Sequence, residues 1–350
     1  MSSPRPIDLR SDTVTRPTPA MRKAMCDAEV GDDVMQEDPT VNALQGEAAE
    51  RLGKEAALLV PSGTFGNQLA LFTHCPRGSE VVLSDGSHIV QHEAGAAAII
   101  AGVQLRTFTP AGAHPTWEEV RPRIRCGNDI HIPPTSLVAL ENALSSGQVI
   151  PLAELERISG GARACGVPVH VDGARLFNAA AYLGLEAAAL AATADSVMFC
   201  LSKGLCAPVG SMLVGSREFI ERARRKRKIM GGGMRQAGVL AAAGLVALRQ
   251  MTLRLAEDHE QARRLGEAFQ RTGLFEVSPY PVRINMLFVR FRPENAGREQ
   301  RLVEELACRG VLSCPPDDGW VRFVTHHDVS PEQVQAACSA LEEAAAAVVA

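Results

Sequence analysis

From residue 55 to residue 215, short apolar runs alternate with helix-patterned segments, and few folds accept that rhythm. The runs are Ala56 to Val60, Val81-Val82-Leu83, Gln104 to Phe108, Ser136 to Leu140, Val167 to Val171 and Ser196 to Cys200. Among them lie a helix from Pro61-Ser62-Gly63-Thr64 to about Cys75, an Ala-rich helix over roughly Glu93 to Ala101, and a helix over Leu152 to Cys165. Strand–helix alternation of this kind is the signature of an α/β fold, a mainly parallel sheet flanked by helices. An earlier helix opens at Asp38-Pro39-Thr40, with Asp38 as cap and proline in the first turn. Val41, Leu44, Ala48 and Leu52 share one of its faces, and Gly53 ends it.

At 350 residues the chain exceeds the size at which a single core keeps growing, so two domains are expected. An N-terminal arm (1–20), a large domain (21–250) and a smaller C-terminal α/β domain (251–350) are expected. An Ala/Leu-rich helix from Gly238 to about Gly273, broken near Met251-Thr252, links the last two. The smaller domain carries strands at Met286 to Phe291 and Trp320 to Thr325, then a terminal helix from Pro331. Aromatic residues make up only 4%, so Ala, Val and Leu must build the core.

Net charge is −4, which gives no support to nucleic-acid or membrane-surface binding. The basic run Arg222 to Lys228 reads as a solvated helix face feeding an anion site. Nine scattered cysteines without a C-x-x-C pair suit reduced thiols in a cytosol-like compartment, and residues Met1 to Asp12 hold no apolar signal core. A cytoplasmic location is therefore expected, and no run approaches a membrane span of about 20 residues. His326-His327-Asp328 lacks further ligands at useful spacing, so no metal is expected.

Three features carry chemistry. Lys203 closes the apolar run Ser196-Val197-Met198-Phe199-Cys200-Leu201-Ser202, with Cys200, Leu201, Leu205 and Cys206 around it. A strand that delivers an amine to its C-terminal end presents a nucleophile, although surface lysines also follow strands. Asp172, 31 residues earlier, ends the Val167–Val171 run ahead of Gly173. Its carboxylate can hold a pyridine nitrogen protonated, or simply turn a strand into a loop. Pro61-Ser62-Gly63-Thr64 joins a strand to a helix, and Ser62, Gly63 and Thr64 offer donors to an anion there, or an ordinary cap. No Walker ending and no G-x-G-x-x-G occurs in the chain. Acid, amine and phosphate cradle in this order match the needs of pyridoxal 5'-phosphate at the carboxyl ends of strands.

On these and further motifs the chain resembles the low-specificity L-threonine aldolases, fold-type I pyridoxal-phosphate lyases of aspartate-aminotransferase-like architecture. The likeness runs from Ile7-Asp8-Leu9-Arg10-Ser11-Asp12-Thr13-Val14-Thr15 to Val324-Thr325-His326. It is most specific at Gly31-Asp32-Asp33-Val34, Asp38-Pro39-Thr40-Val41, His170-Val171-Asp172-Gly173-Ala174-Arg175, Leu201-Ser202-Lys203-Gly204 and Met230-Gly231-Gly232-Gly233-Met234-Arg235-Gln236. The resemblance implies that Lys203 anchors the cofactor, Asp172 pairs with its ring nitrogen, and Ser62, Gly63 and Thr64 hold its phosphate. It implies that His88 stacks on the ring and that Arg175 contacts cofactor or substrate carboxylate. By the same likeness Ser11 and Arg322 bind the substrate carboxylate, and His131 lies near the substrate side chain. Lys228 and Arg235 would reach the phosphate region from a neighbouring subunit of a homotetramer.

The implied reaction is cleavage of L-threonine, L-allo-threonine and other L-β-hydroxy-α-amino acids to glycine and an aldehyde. His88 and His131 are candidates to move the hydroxyl proton. The alternatives are another fold-type I lyase or a glycine hydroxymethyltransferase-like enzyme. Two departures stand out: Ala143-Leu144 where members often carry Thr-His, and His92 where an aromatic residue is usual. Both bear on which side chains and stereoisomers are accepted.

Overall fold

The computed structural model describes residues 5–127, 129–278 and 280–350. Residues 1–4 of the expected arm lie outside the described residues. Among the described residues twelve strands occur in chain order: β1 (Ile7–Asp8), β2 (Ala56–Val60), β3 (Glu80–Ser84), β4 (Gln104–Phe108), β5 (Thr135–Glu141), β6 (Val169–Asp172), β7 (Ser196–Cys200), β8 (Ser211–Gly215), β9 (Phe275–Val277), β10 (Met286–Phe291), β11 (Val311–Leu312) and β12 (Val321–Val324). They belong to two compact units. One comprises residues 17–145 and 149–252, the other residues 1–16, 146–148 and 253–350.

The larger unit is built on a seven-stranded sheet in the order β2-β8-β7-β6-β5-β3-β4. Neighbours from β4 through β7 pair parallel, while β8 pairs antiparallel with both β7 and β2. Six strands thus point one way and β8 alone is reversed, which meets the expectation of a mainly parallel sheet. Strands β6, β7 and β8 are buried along their whole length, as befits strands covered on both faces. The Gly63–His74 helix packs against β7 at close range. A Cβ on Gly63 would lie 2.8 Å from Cys200 Sγ, and one on Gly66 would lie 2.6 Å from Met198 Cγ. Only glycine admits that approach.

The Asp38 cap forms as read: its Oδ1 accepts the Val41 N–H at 3.0 Å, and the helix runs Pro39–Arg51. The expected helix from Glu93 to Ala101 does not form as such. Only Ala97–Ala101 is helical, as a π turn. Ala94 and Gly95 take positive φ (52° and 73°), and the Glu93 side chain is drawn inward, away from a solvent-facing helix position. The break expected near Met251-Thr252 is present. A 3₁₀ turn at Met251–Leu253 separates helices Gly238–Gln250 and Leu255–Arg271. Among the described residues no single helix is long and apolar enough to cross a bilayer.

The smaller unit holds a three-stranded antiparallel sheet, β12-β10-β9, and the parallel pair β1-β11. Its core departs from the aliphatic expectation. Phe269, Phe275, Phe291 and Phe323 interlock with ring centroids 4.4–5.1 Å apart. Four of the chain's eleven phenylalanines are thus concentrated here, while the larger unit's cores rely mainly on Leu, Val, Ala and Met.

Candidate active site

Three adjacent parallel strands bring acid, acid and amine together. The last pair in the β5–β6 register is Glu141 with Asp172, and Asp172 faces Met198 on β7. Lys203 follows β7 after two intervening residues, half-buried among buried Leu201, Leu205 and Cys206. β2 ends at Val60 on the same side of the sheet, and the Gly63–His74 helix starts just beyond it. Ser62 caps that helix by accepting the Phe65 N–H at 3.1 Å. The N–H groups of Gly63 and Thr64 begin the helix and have no carbonyl one turn back to bond. Clustering at strand C-termini is where open α/β sheets bind ligands.

Asp172 is 2% exposed, and each of its oxygens accepts a hydrogen bond. Its Oδ1 accepts the Ala174 N–H at 3.0 Å and its Oδ2 accepts Asn67 Nδ2 at 2.6 Å. Asn67 also donates to Glu93 Oε1 at 2.8 Å, and Gln68 donates to Glu93 Oε2 at 2.6 Å. His88 Nδ1 meets Glu93 Oε1 at 2.8 Å. The hydrogen bond that His88 donates to Glu93 is the main reason its pKa is raised; burial opposes it, the Asp172 charge adds to it, and the Lys203 charge opposes it. His88, Glu93 and Asp172 place ligand atoms within 4.8 Å of one another. With Nδ1 committed to Glu93, Nε2 is the His88 nitrogen left to act on a bound molecule.

Glu141 completes the cluster. Its Oε2 accepts the His88 backbone N–H at 2.9 Å and its Oε1 accepts the Ser145 hydroxyl at 2.6 Å. Burial, and then the Asp172 carboxylate, push its pKa up to about 7. Glu141, Glu93, Asn67 and Gln68 escaped the sequence reading. Glu141 ends an apolar strand just as Asp172 does, and that signal was available. Asn67 and Gln68 are polar residues in the Leu/Ala/Phe-rich stretch of a core helix, a weaker but visible mark.

The other expected site residues are distributed as follows. Arg175 is half-buried at the start of the Leu176–Leu183 helix, three residues past Asp172. His131 is exposed in the loop before β5, its N–H held by Asp129 Oδ1. Among the described residues no hydrogen bond or ion pair ties it to the His88 cluster. Lys228 and Arg235 are exposed on the larger unit, and Arg235 pairs with Asp32 at 2.7 Å. In the smaller unit, Arg322 Nη2 donates to the Arg10 carbonyl at 3.3 Å and so adjoins the Arg10-Ser11 segment. Ser11 Oγ there accepts the Thr13 N–H at 3.2 Å. His92 is exposed, with its ring centroid 5.4 Å from that of His88.

A family model described as "Beta-eliminating lyase" matches residues 8–292. The chain is 43% identical over 346 residues to Low-specificity L-threonine aldolase 1 of Arabidopsis thaliana, covering 97% of this chain and 96% of that one. It is 46% identical over 331 residues to the Low specificity L-threonine aldolase of Escherichia coli (strain K12), covering 94% and 96%. Among solved structures, the threonine aldolase of Leishmania major superposes with TM-score 0.83 at 19% identity, covering 98% of this chain and 100% of that one. A serine palmitoyltransferase solved with its pyridoxal-phosphate internal aldimine superposes with TM-score 0.77 at 19% identity, covering 98% and 88%. These two place the fold among fold-type I enzymes.

Proposed function

Because the chain belongs to the β-eliminating lyase family, we propose that it is a pyridoxal-phosphate-dependent aldolase. Its substrates are L-threonine, L-allo-threonine and related L-β-hydroxy-α-amino acids, and its products are glycine and an aldehyde. The observation that carries this reading is the convergence of Asp172, His88 and Lys203 at the C-terminal ends of β3, β6 and β7, in a chain 43–46% identical to named threonine aldolases.

The donor set suits the cofactor. A buried carboxylate at Asp172 matches a pyridine nitrogen, the start of the Gly63–His74 helix with Ser62 and Thr64 matches a phosphate, and the Lys203 amine matches an aldehyde. Lys203 would bind it covalently, Asp172 would pair with the ring nitrogen, His88 and Arg175 would adjoin the ring, and Ser62, Gly63 and Thr64 would hold the phosphate. When bound, pyridoxal phosphate supplies an electron sink for the bond pair released at the substrate α-carbon.

The remaining work belongs to side chains. Arg322 and Ser11 bind and orient the substrate carboxylate, Arg322 through the flat fork of its guanidinium. His88 takes the β-hydroxyl proton at Nε2, directly or through water, while Glu93 secures Nδ1 and stabilises the charged ring that results. His131 is the second candidate for that proton. Glu141 fixes the His88 backbone. The α-carbon gains a proton in place of its lost bond to the β-carbon, which balances the one His88 removes from the hydroxyl.

We extend the reading to a homotetramer in which Lys228 and Arg235 serve a neighbouring subunit's phosphate site. Both are exposed, and Ile229 and Met35 expose 68% and 64% of their surface, apolar area of the kind a subunit contact covers. Sedimentation equilibrium checks this. Nine scattered cysteines, with no disulfide among the described residues, support a reducing, cytosol-like compartment.

Purified protein loaded with pyridoxal phosphate should release glycine and acetaldehyde from L-threonine and L-allo-threonine but not from the D isomers. Pyruvate and ammonia from serine, without glycine from any threonine isomer, would assign a β-elimination instead.

A further inference from the structure

Asn67 is fully buried on the Gly63–His74 helix and is surrounded by side chains that dictate its orientation. Its Nδ2 lies 2.6 Å from Asp172 Oδ2 and 2.8 Å from Glu93 Oε1. Turning the amide over would set a carbonyl oxygen against two carboxylates, so both Nδ2 hydrogens are committed and Oδ1 must accept. The group 3.3 Å from Oδ1 is His170 Nε2, which therefore carries a hydrogen. His170 Nδ1 is then an acceptor, and Ser196 Oγ lies 2.9 Å from it. The serine hydroxyl, having donated to His170, accepts in turn from His74 Nε2 at 2.8 Å.

The chain of donors runs in one direction: His74 to Ser196, Ser196 to His170, His170 to Asn67, Asn67 to Asp172 and Glu93. Each member finds its partner with both imidazoles neutral. Burial enforces that state, lowering His170 to about 3 and His74 to about 4. Alternation explains why the sequence can build it. His170 and Asp172 occupy the same face of β6, and Asn67 and His74 lie seven residues apart on one face of the helix.

We propose that Asn67 is the positioning residue that holds Asp172 as an oriented carboxylate for the cofactor ring, and that His170, through Ser196 and His74, holds Asn67. The inference rests on the pyridoxal-phosphate reading above and deepens it. Asn67 bridges two carboxylates that would otherwise face each other across a buried gap. Without its two hydrogens the carboxylates repel each other directly, which favours a proton on one of them, and a protonated Asp172 no longer keeps the ring nitrogen charged. The titratable groups around Asp172 are Glu141, Glu93, His88 and, beside His88, Lys203.

The test compares wild-type holoenzyme with Asn67→Leu, which keeps the volume and removes the donors, and with His170→Leu, which leaves Asn67 present but unsupported. Cofactor dissociation constant, visible absorbance of the bound cofactor from about pH 6 to about pH 9, and thermal unfolding are measured on each. Asn67→Leu should bind pyridoxal phosphate at least about tenfold more weakly and show a pH-dependent visible band where the wild type does not. His170→Leu should move the same way by a smaller factor, and it carries the test if Asn67→Leu fails to fold. Wild-type affinity and an unchanged spectrum in folded Asn67→Leu, or in His170→Leu where that one stands in, would overturn the inference alone. Failure of the wild type itself to take up the cofactor would overturn both it and the reading on which it rests.

Discussion

Acidification should destabilise the larger unit by an amount set by two imidazoles. His170 and His74 titrate near 6.5 when exposed, and burial takes them to about 3 and about 4 in the fold. Their folded values lie below their unfolded values, so the stability they support is complete above about pH 6.5. It drains away as the pH falls, because the unfolded chain gains protons that the folded chain refuses. Between about pH 8 and about pH 5 the proton-linkage integral gives about 2 kcal/mol for each ring, or about 4 kcal/mol together. His74 and His170 also repel each other when charged, so the two contributions are not strictly additive. His88 works in the opposite sense, since Glu93 raises its pKa, and its share is present at low pH and lost as pH rises. Urea unfolding of wild type and His170→Gln at both pH values isolates one ring. The stability advantage of the wild type should shrink by about 2 kcal/mol from pH 8 to pH 5. An advantage that stays constant would mean that His170 is already protonated or hydrated in the fold, and the directional hydrogen-bond chain would be wrong.

Three other perturbations follow from named contacts. Glu93→Gln removes the anion that raises His88, so the acid limb of kcat/KM should shift to lower pH while turnover falls, as read from a pH–rate profile. Gly66→Ala would put a methyl group 2.6 Å from Met198 Cγ, and chemical denaturation should show a loss of about 1–3 kcal/mol from overpacking. Asp33→Ala strands Arg227, whose guanidinium pairs with Asp33 at 2.7 Å with both side chains almost fully buried. Breaking such a pair from one side should cost about 3–5 kcal/mol in the same assay.

The sheet was legible because its strands are short, apolar and separated by helical periods. β8 was missed as a separate strand, since Ser211–Gly215 follows β7 with no helix between them to set it off. Glu93 misled the reading of the Glu93–Ala101 segment: an acid at the head of an Ala-rich stretch resembles the first turn of a solvated helix, whereas here it is buried as the acceptor for Asn67, Gln68 and His88. Asp172 and Lys203 could be picked out because each ends an apolar run. Glu141 meets the same criterion, ending the apolar β5 run just as Asp172 ends β6. Long-range partners such as Asn67 and His170, 103 residues apart, leave no local pattern. Their meaning arises only when the helix is laid against β6.

The covalent anchor is the point at which the account is most exposed. Protein saturated with pyridoxal phosphate, reduced with borohydride and digested should yield one cofactor-modified peptide, the one containing Lys203, and Lys203→Ala protein should yield none. An unmodified Lys203 peptide at saturation, or a label carried by a different lysine, would contradict the account.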